Sequence, residues 1–265
     1  MLQAVKGQLT PHPIEIVAVD SGSTDGTLDI LKEHNVRVIP IAPEDFDFGK
    51  TRDLVFEQTR GSFIVSLSQD AIPATQNWLE NLLKPFDDPS VAVTCGRSVP
   101  DPDRAFDPFP WEANGYFYFT REMKKFRAKY GRGLSNANAA YRRSVWEELR
   151  FGEQPIGEDF RFQEKLHDSR HILAFVDDAP VLHHHDYTLR TLYKRCRNEG
   201  YGLRLLGFPY TLTDYLRDCL NPRKDLVWLR SLLKGRLRSP AAIVFPYARP
   251  SWVYMGSRFA RGYLK

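Results

Sequence analysis

Short apolar runs alternate with amphipathic segments through residues 14–95 of this chain. Brief β-branched runs are typical of buried strands, and apolar residues spaced three or four positions apart are typical of helices. The predicted strands are Ile14–Val19, Val36–Ile41, Phe63–Leu67 and Val91–Cys95. A helix capped by Ser23, Thr24 or Asp25 is predicted after the first strand, and further helices are predicted over Gly49–Thr59 and Asn77–Phe86. This β-α-β-α-β-α-β order predicts an α/β fold, with a mostly parallel sheet and helices on both faces.

The remainder of the chain is less regular and ends in a basic helical region. Residues 98–115 are rich in proline and aspartate and predict a long irregular loop. The helices and extended segments predicted beyond it are Phe117–Lys129, Asn136–Tyr141, Glu158–His167, Leu173–Val176 and Pro180–Leu182, with helices from Leu189 onward. We therefore expect an α/β domain over residues 1–185 and a basic, mainly helical extension over residues 186–265.

Composition excludes several classes of protein. The 265 residues are 42% apolar and 26% charged, which is ordinary for a globular chain and argues against disorder. No apolar run reaches the ~18 residues of a membrane span, and the N-terminus lacks the apolar stretch of a secretory signal. The cysteines Cys95, Cys196 and Cys219 match no metal or disulfide spacing, so we expect buried or incidental thiols in a reducing cytoplasm.

The charge is unevenly distributed along the chain. Residues 1–185 carry 21 Lys and Arg against 28 Asp and Glu, whereas residues 186–265 carry 16 against 5. In some proteins a basic segment of this kind contacts anionic lipid, nucleic acid or a phosphorylated acceptor, and in others it is only a solvated surface. The sequence leaves these alternatives open.

Acidic residues follow the predicted strands in a fixed order. Asp20 ends the first strand, Asp70 follows the third, and Glu158 and Asp159 open a later helix, while histidines 183–185 follow another apolar run. Ligands of open α/β sheets gather beyond the carboxyl ends of the strands, so we expect these side chains to converge. Carboxylates and an imidazole placed together suit a phosphorylated substrate held through a divalent cation.

Five motifs resemble, in sequence and in order, those of family 2 glycosyltransferases, which have the GT-A fold. They are Asp-Ser-Gly-Ser-Thr-Asp-Gly-Thr (20–27), Phe-Gly-Lys-Thr-Arg-Asp (48–53), Ser-Gln-Asp-Ala-Ile-Pro (68–73), Ser-Asn-Ala-Asn-Ala-Ala-Tyr-Arg-Arg (135–143) and Gly-Glu-Asp (157–159). Gln-Asp-Ala in place of Asp-x-Asp, together with Gly-Arg-Ser-Val-Pro (96–100), is similar to the bacterial rhamnosyltransferase-like branch. The resemblance implies a Rossmann-like GT-A sheet.

The resemblance assigns nucleotide and sugar binding to several residues. The family's carboxylate at the position of Asp20 contacts the base, and Ser21 and Gly22 lie in the same loop; a turn or a helix cap is the alternative for Asp20. Arg52 matches an arginine that helps to bind the nucleotide, and a solvated side chain is its alternative. Asn136 is expected in the sugar or acceptor pocket, although asparagine also suits a turn.

The resemblance also implies a divalent cation, Mg²⁺ or Mn²⁺, at Asp70. Such cations commonly bind through one or two carboxylates plus phosphate oxygens. Here Ser68 replaces the first acidic residue of Asp-x-Asp, so the protein supplies fewer ligands, and Gln69 is expected to line the site without charge. His183 matches the family position at which a histidine completes the metal shell, and His185 is the second choice; a structural or solvated histidine is the alternative.

For catalysis, the resemblance places the general base at Asp159, with Glu158 orienting the acceptor; helix capping is the alternative. The implied reaction is an inverting transfer of a sugar, such as rhamnose, from a nucleoside diphosphate sugar to a hydroxyl of a bacterial cell-surface or lipid-linked glycan. A catalytically degenerate sugar- or lipid-binding module and a nucleotidyltransferase are the alternatives. We expect a cytoplasmic location, at the inner face of the plasma membrane if the basic region binds lipid, and no nucleic-acid partner.

The sequence departs from the family at its start. Family members begin with a strand that ends in a Pro-Thr/Ser-Tyr-Asn-like sequence and forms one wall of the base pocket. That strand is missing here, since Leu2–Gln8 resembles the end of the helix that should follow it. We therefore expect a start at a downstream methionine or a truncated product. Farther along, an aromatic group at Trp111 and 116–118 is expected to pack in the core or to stack on a sugar ring.

Overall fold

The computed structural model describes residues 1–99, 121–183 and 187–264. These residues form two compact units: residues 1–99 with 132–183, and residues 121–131 with 187–264. In chain order the elements are α1 (Leu2–Lys6), β1 (Val17–Asp20), α2 (Thr27–Glu33), β2 (Arg37–Pro40), α3 (Phe48–Glu57), β3 (Phe63–Leu67), β4 (Ala71–Pro73), α4 (Trp78–Leu83), β5 (Val91–Val99), α5 (Arg121–Tyr130), β6 (Asn138–Arg142), α6 (Arg143–Leu149), α7 (Glu158–Asp168), β7 (Ile172–His183), α8 (Leu189–Leu205), α9 (Leu212–Cys219), α10 (Pro222–Leu233) and α11 (Pro240–Phe259). Short 3₁₀ turns cover Pro43–Asp45 and Lys84–Asp87.

The first unit is built around a five-stranded sheet in the order β3-β6-β5-β7-β4. Strands β5 and β7 are parallel, whereas β6 is antiparallel to both of its neighbours and β4 is antiparallel to β7. Strands β1 and β2 form a separate parallel pair. The predicted α/β class is confirmed, but the sheet is mixed rather than mostly parallel. The prediction of a mostly parallel sheet was wrong because β6 enters between β3 and β5 in the opposite direction.

Both faces of the five-stranded sheet are buried beneath helices. Successive residues of β6 show this: Ala139 and Tyr141 pack with residues of α3, α6 and α7, while Ala140 packs with residues of α4. Trp146 of α6 and Trp78 of α4 lie in these two cores, and each is 1% exposed. Because buried apolar area is the main stabilising contribution to a fold, the two layers hold the strand ends in fixed positions.

One edge of the sheet collects strand ends from distant parts of the first unit. Strands β3, β5 and β7 finish at this edge, and the antiparallel strands β4 and β6 begin there. The register pairs Leu67 with Asn138 and Ala71 with His183. The turn before β4, the segment before β6 and the end of β7 are therefore neighbours.

Two element boundaries differ from those predicted. The helix predicted over Asn77–Phe86 is α4 followed by the 3₁₀ turn, because Pro85 lacks the amide hydrogen that an α-helix requires. The two extended segments predicted before the histidines are the single strand β7.

The cap predicted for α2 was also wrong. The helix begins after Gly26, whose φ is 84°, and receives no side-chain cap. Asp25 instead accepts hydrogen bonds from the amide (3.2 Å) and the hydroxyl (2.6 Å) of Thr27. These bonds stabilise the turn that leads into the helix.

In the second unit, α8 and α11 pack closely through glycines. A Cβ atom on Gly200 would overlap the carbonyl oxygen of Val253, and one on Gly256 would overlap that of Arg197. Only glycine permits so close an approach of two helix backbones. Helices α9 and α10 both contact α11. Among the described residues, no helix combines the length and the apolar character needed to cross a bilayer.

Candidate active site

Asp20 closes β1 and organises the loop after it. Its Oδ2 accepts hydrogen bonds from the amides of Gly22 (2.9 Å) and Ser23 (3.1 Å). The φ of Gly22 is 101°, which glycine adopts without steric cost. Hydrogen bonds from Ser23 and from the amide of Gly22 lower the pKa of Asp20. Asp20 is therefore an ionised turn residue, and Ser21 lies in the same half-exposed loop.

Glu158 is the centre of a buried polar network at the edge of the larger sheet. Its Oε1 accepts hydrogen bonds from Arg52 Nε (3.2 Å), Arg52 Nη2 (3.0 Å) and Asn136 Nδ2 (2.9 Å). Arg52 Nη1 also donates to Ser66 Oγ (2.7 Å), which donates to the carbonyl of Asn136 (2.8 Å). The side chain of Glu158 is 6% exposed and that of Arg52 22%. Since a buried charge is tolerated only when it is paired, Arg52 and Glu158 hold each other in place.

Two aspartates that the motif analysis did not select fasten α3 to the loop before α7. Asp53 accepts a hydrogen bond from the amide of Gly152 at 2.8 Å. Asp47 caps α3 and accepts one from the amide of Gln154 at 2.9 Å. These bonds fix the separation of Arg52 from the start of α7. Two features of the sequence could have identified these residues. Asp53 lies inside the 48–53 motif, and Asp47 lies directly before a helix, where aspartate is a common cap.

Asp159 lies in the first turn of α7 and is partly exposed. Its Oδ1 accepts a hydrogen bond from the amide of Phe160 at 2.9 Å. Desolvation by the surrounding protein and, after it, the negative charge of Glu158 raise the pKa of Asp159 to about 7. A carboxylate with a pKa near neutrality is suited to accept a proton from an attacking hydroxyl.

Asp70 and His183 meet at the same sheet edge. His183 Nε2 lies 3.3 Å from Asp70 Oδ1, because the register of β4 with β7 sets residue 71 opposite residue 183. Both side chains keep partial access to solvent, at 21% for His183 and 37% for Asp70. Ser68 Oγ, in the turn before β4, is buried without a hydrogen-bond partner among the described residues.

These groups fit a divalent cation that is shared with a ligand. A carboxylate oxygen, an imidazole nitrogen and an uncommitted hydroxyl suit Mg²⁺ or Mn²⁺. Across residues 1–99, 121–183 and 187–264, no group of three or more His, Cys, Asp or Glu side chains could hold a metal by itself. Phosphate oxygens and water would therefore have to complete the shell.

A short series of contacts links the Asp70–His183 pair to Glu158 and Asp159. The amide of Ser68 donates to the carbonyl of Ala137 at 3.5 Å. The neighbouring Asn136 binds Glu158, which precedes Asp159. The structure thus places the predicted metal-binding and acid–base residues at one edge of one sheet. Gln69 is exposed in the turn. His185, the aromatic group at Trp111 and 116–118, and residues 100–115 of the predicted loop lie outside the described residues.

A mixed sheet between two layers of helices, with carboxylates and a histidine at one edge, agrees with the GT-A fold that the motifs imply. The sequence profile of the family described as "Glycosyl transferase family 2" matches residues 1–150. The chain belongs to this family, and the resemblance predicted from the motifs is confirmed.

Two curated relatives are similar over most of this chain. "O-antigen chain rhamnosyltransferase RfbN" of Salmonella typhimurium (strain LT2) is 34% identical over 210 residues, which are 76% of this chain and 66% of that protein. "O-antigen chain rhamnosyltransferase WbaN" of Salmonella anatum is 34% identical over 200 residues, or 72% of this chain and 63% of that protein. This chain therefore spans slightly less than two thirds of the length of these relatives.

Solved structures share the fold at low sequence identity. Glucosyl-3-phosphoglycerate synthase from Mycobacterium tuberculosis, in complex with Mn²⁺, UDP and glucosyl-3-phosphoglycerate, has a TM-score of 0.56 at 18% identity, covering 77% of this chain and 72% of that one. Mannosyltransferase PcManGT from Pyrobaculum calidifontis, in complex with GDP-Man and Mn²⁺, has a TM-score of 0.54 at 17% identity, covering 96% and 78%. The predicted GT-A fold is confirmed.

Proposed function

We propose that this chain is an inverting glycosyltransferase that moves a sugar, rhamnose as the leading candidate, from a nucleoside diphosphate sugar to a hydroxyl of a bacterial cell-surface glycan. The observation that carries the proposal is that Asp70 and His183 lie at the same sheet edge as Glu158 and Asp159, linked to them through the Ser68–Ala137 and Asn136–Glu158 hydrogen bonds. The names of the two Salmonella relatives support rhamnose as the sugar and an O-antigen type of glycan as the acceptor.

The donor diphosphate is proposed to bind beside Asp70 and His183, which would hold Mg²⁺ or Mn²⁺. When bound, the cation supplies positive charge that stabilises the departing diphosphate. Structural neighbours in complex with Mn²⁺ or Mg²⁺ and a nucleotide support this choice of cation. The Asp20–Gly22 loop is proposed to contact the nucleotide base, as in the family.

Asp159 is proposed to take the proton of the acceptor hydroxyl as that oxygen attacks the anomeric carbon. The bond from this carbon to the diphosphate oxygen breaks with its electron pair remaining on the diphosphate, so a single displacement inverts the configuration. Oε1 of Glu158 already accepts hydrogen bonds from Arg52 and Asn136. Glu158 is therefore proposed to support Asp159 by position and by charge. The cytoplasm is the proposed location.

A donor-panel assay with Mn²⁺ tests this function, followed by determination of the anomeric configuration of the product. We expect an inverted product from the parent and at least a ~100-fold loss of turnover in Asp159→Asn and Asp70→Ala. Asp168→Asn, at the exposed far end of α7, is the matched control and keeps full activity. A product that retains the donor configuration rejects the single displacement. Nucleotide binding without turnover of any donor favours the degenerate binding module.

A further inference from the structure

Helix α9 carries its polar residues inward and its leucines outward. Asp214 and Asp218 are 4% and 3% exposed, whereas Leu212, Leu216 and Leu220 are 53%, 49% and 78% exposed. These leucines are four residues apart, so they lie along one side of the helix, with Leu220 directly after its last residue. Buried polar residues opposite exposed large apolar residues are the reverse of the usual arrangement and indicate a surface with a function.

Helix α10 repeats the inverted pattern. Lys224 and Ser231 are 4% and 5% exposed, whereas Leu226, Leu229 and Leu233 are 55%, 47% and 78% exposed. Spacings of three and four residues place these leucines on one face as well. We give the name leucine face to the six exposed leucines of these two patterns: Leu212, Leu216, Leu220, Leu226, Leu229 and Leu233.

Specific bonds on the inward sides fix this orientation. Asp218 accepts a hydrogen bond from the hydroxyl of Tyr210 at 2.6 Å. In α10, the indole of Trp228 donates to the carbonyl of Ile243 in α11 at 3.0 Å, and Asp225 accepts a hydrogen bond from the hydroxyl of Tyr247 in α11 at 3.0 Å. Turning either helix to bury its leucines would break these bonds and leave buried polar groups unpaired.

The surroundings of the leucine face are basic. Arg223 and Arg230 are exposed on α10, one helical turn or less from its leucines, and further exposed basic residues follow the helix: Lys234, Arg236 and Arg238. The acidic side chains of the two helices are already paired with cations, namely Asp214 and Asp218 with Arg217 and Asp225 with Lys224. An apolar face with a cationic border is complementary to a bilayer that contains anionic lipid.

We propose that the leucine face docks on an anionic lipid bilayer, with the leucines inserted between headgroups and the arginines against lipid phosphates. The docking does not depend on the proposed transfer reaction, because it requires neither donor nor acceptor. It would hold the chain close to an acceptor that is itself anchored in a membrane.

Co-sedimentation of the full chain with vesicles, without nucleotide, tests the proposal. Vesicles of phosphatidylcholine alone are compared with vesicles that also contain phosphatidylglycerol. We expect binding only to the anionic vesicles, weakened by added salt. The triple variant Leu216→Ser, Leu229→Ser, Leu233→Ser should bind at least about tenfold more weakly. The charge variant Arg223→Ser, Arg230→Ser, Arg236→Ser should also bind about tenfold more weakly.

Controls separate docking from folding and from self-association. Leu9→Ser with Leu28→Ser removes exposed leucines from the first unit, 60% and 44% exposed, and should leave vesicle binding unchanged. Circular dichroism should show the parent's helix content in every variant. Binding without anionic preference, or full binding by the leucine variant, overturns the proposal. It is equally overturned if the parent ignores vesicles and forms a dimer that the leucine variant loses, because the face would then belong to a second copy of the chain.

Discussion

Asp159 combines a proposed catalytic role with a cost to stability. Its pKa rises from an ordinary 3.8 to about 7 in the folded chain, mainly through desolvation. Between these two values the unfolded chain has released the proton and the folded chain still holds it. The contribution of Asp159 to stability is therefore complete below pH 3.8 and is lost as the pH rises through about 7.

Replacing this carboxylate with an amide should stabilise the fold at neutral to alkaline pH. We expect Asp159→Asn to raise the free energy of unfolding by about 1–2 kcal/mol at about pH 8, less than the full shift implies because water reaches the side chain. At about pH 4 the gain should disappear. Urea unfolding at the two pH values measures both quantities, with the exposed Asp168→Asn as the control. If Asp159→Asn is less stable than the parent at the higher pH, ionisation of the Asp159 carboxylate does not destabilise the fold.

The same pKa gives the direction of the pH–rate profile. Only ionised Asp159 can accept a proton, so kcat/KM should rise with pH, with a midpoint near 7, and then level off. Initial rates in overlapping buffers at fixed donor and Mn²⁺ establish the profile. The residual rate of Asp159→Asn should lack this rise. A parent profile that falls with pH across the same range would place the essential proton on the enzyme instead.

Arg52 acts through the geometry of its guanidinium group. A lysine at this position keeps the charge but cannot bond Glu158 and Ser66 together in the same fork. We expect Arg52→Lys to lose about 1–3 kcal/mol of stability and to lower turnover, because Glu158 loses part of its support. Thermal unfolding and donor turnover are compared with Arg60→Lys, an exposed arginine beyond the end of α3. Parent-like behaviour of both variants would mean that the network is not needed.

At the scale of the elements, the contact of α8 with α11 is set by glycine. We expect Gly256→Ala to cost about 1–3 kcal/mol, since the added methyl group would overlap the Arg197 carbonyl and force the two helices apart. Gly262→Ala is the matched control, because a Cβ at that position meets no atom within 4 Å. Thermal unfolding distinguishes them. Equal melting temperatures would show that the helices can separate without cost.

Local sequence patterns predicted several elements well. The bounds of β3 coincide with the predicted strand Phe63–Leu67, and α7 extends one residue beyond the predicted Glu158–His167. A dense apolar run and an acidic first turn are signals contained within the element itself. The direction of β6 is not such a signal, because it depends on pairing with strands that are distant in sequence.

The candidate site was predictable to a similar extent. The motif order indicated which residues to consider, and Asp70 and His183 do lie close together, while their role in binding a metal stays a prediction. The ion pair of Arg52 with Glu158 was not predicted, since the two residues are 106 positions apart and each has an alternative role as a ligand contact. Their pairing follows from the packing of α3 and α7 on the same face of the sheet.

In the whole molecule, the candidate site and the leucine face belong to different units. The carboxylates, the histidine and the buried network of the candidate site belong to the first unit, whereas the leucine face and its basic border belong to the second. Helix α5 also belongs to the second unit, although its residues lie within the range 1–185. The boundary at residue 185 remains a prediction.

Asp70, His183 and Asp159 are proposed to border one site for a metal-bound nucleoside diphosphate. Paramagnetic broadening of amide resonances by Mn²⁺, added with the diphosphate of the preferred donor, tests it directly. We expect the amides of these three residues to broaden together, that of Asp168 at the far end of α7 to broaden less, and Asp70→Ala to abolish the effect. Broadening at residues 70 and 183 that leaves residue 159 as sharp as residue 168 would contradict the shared site.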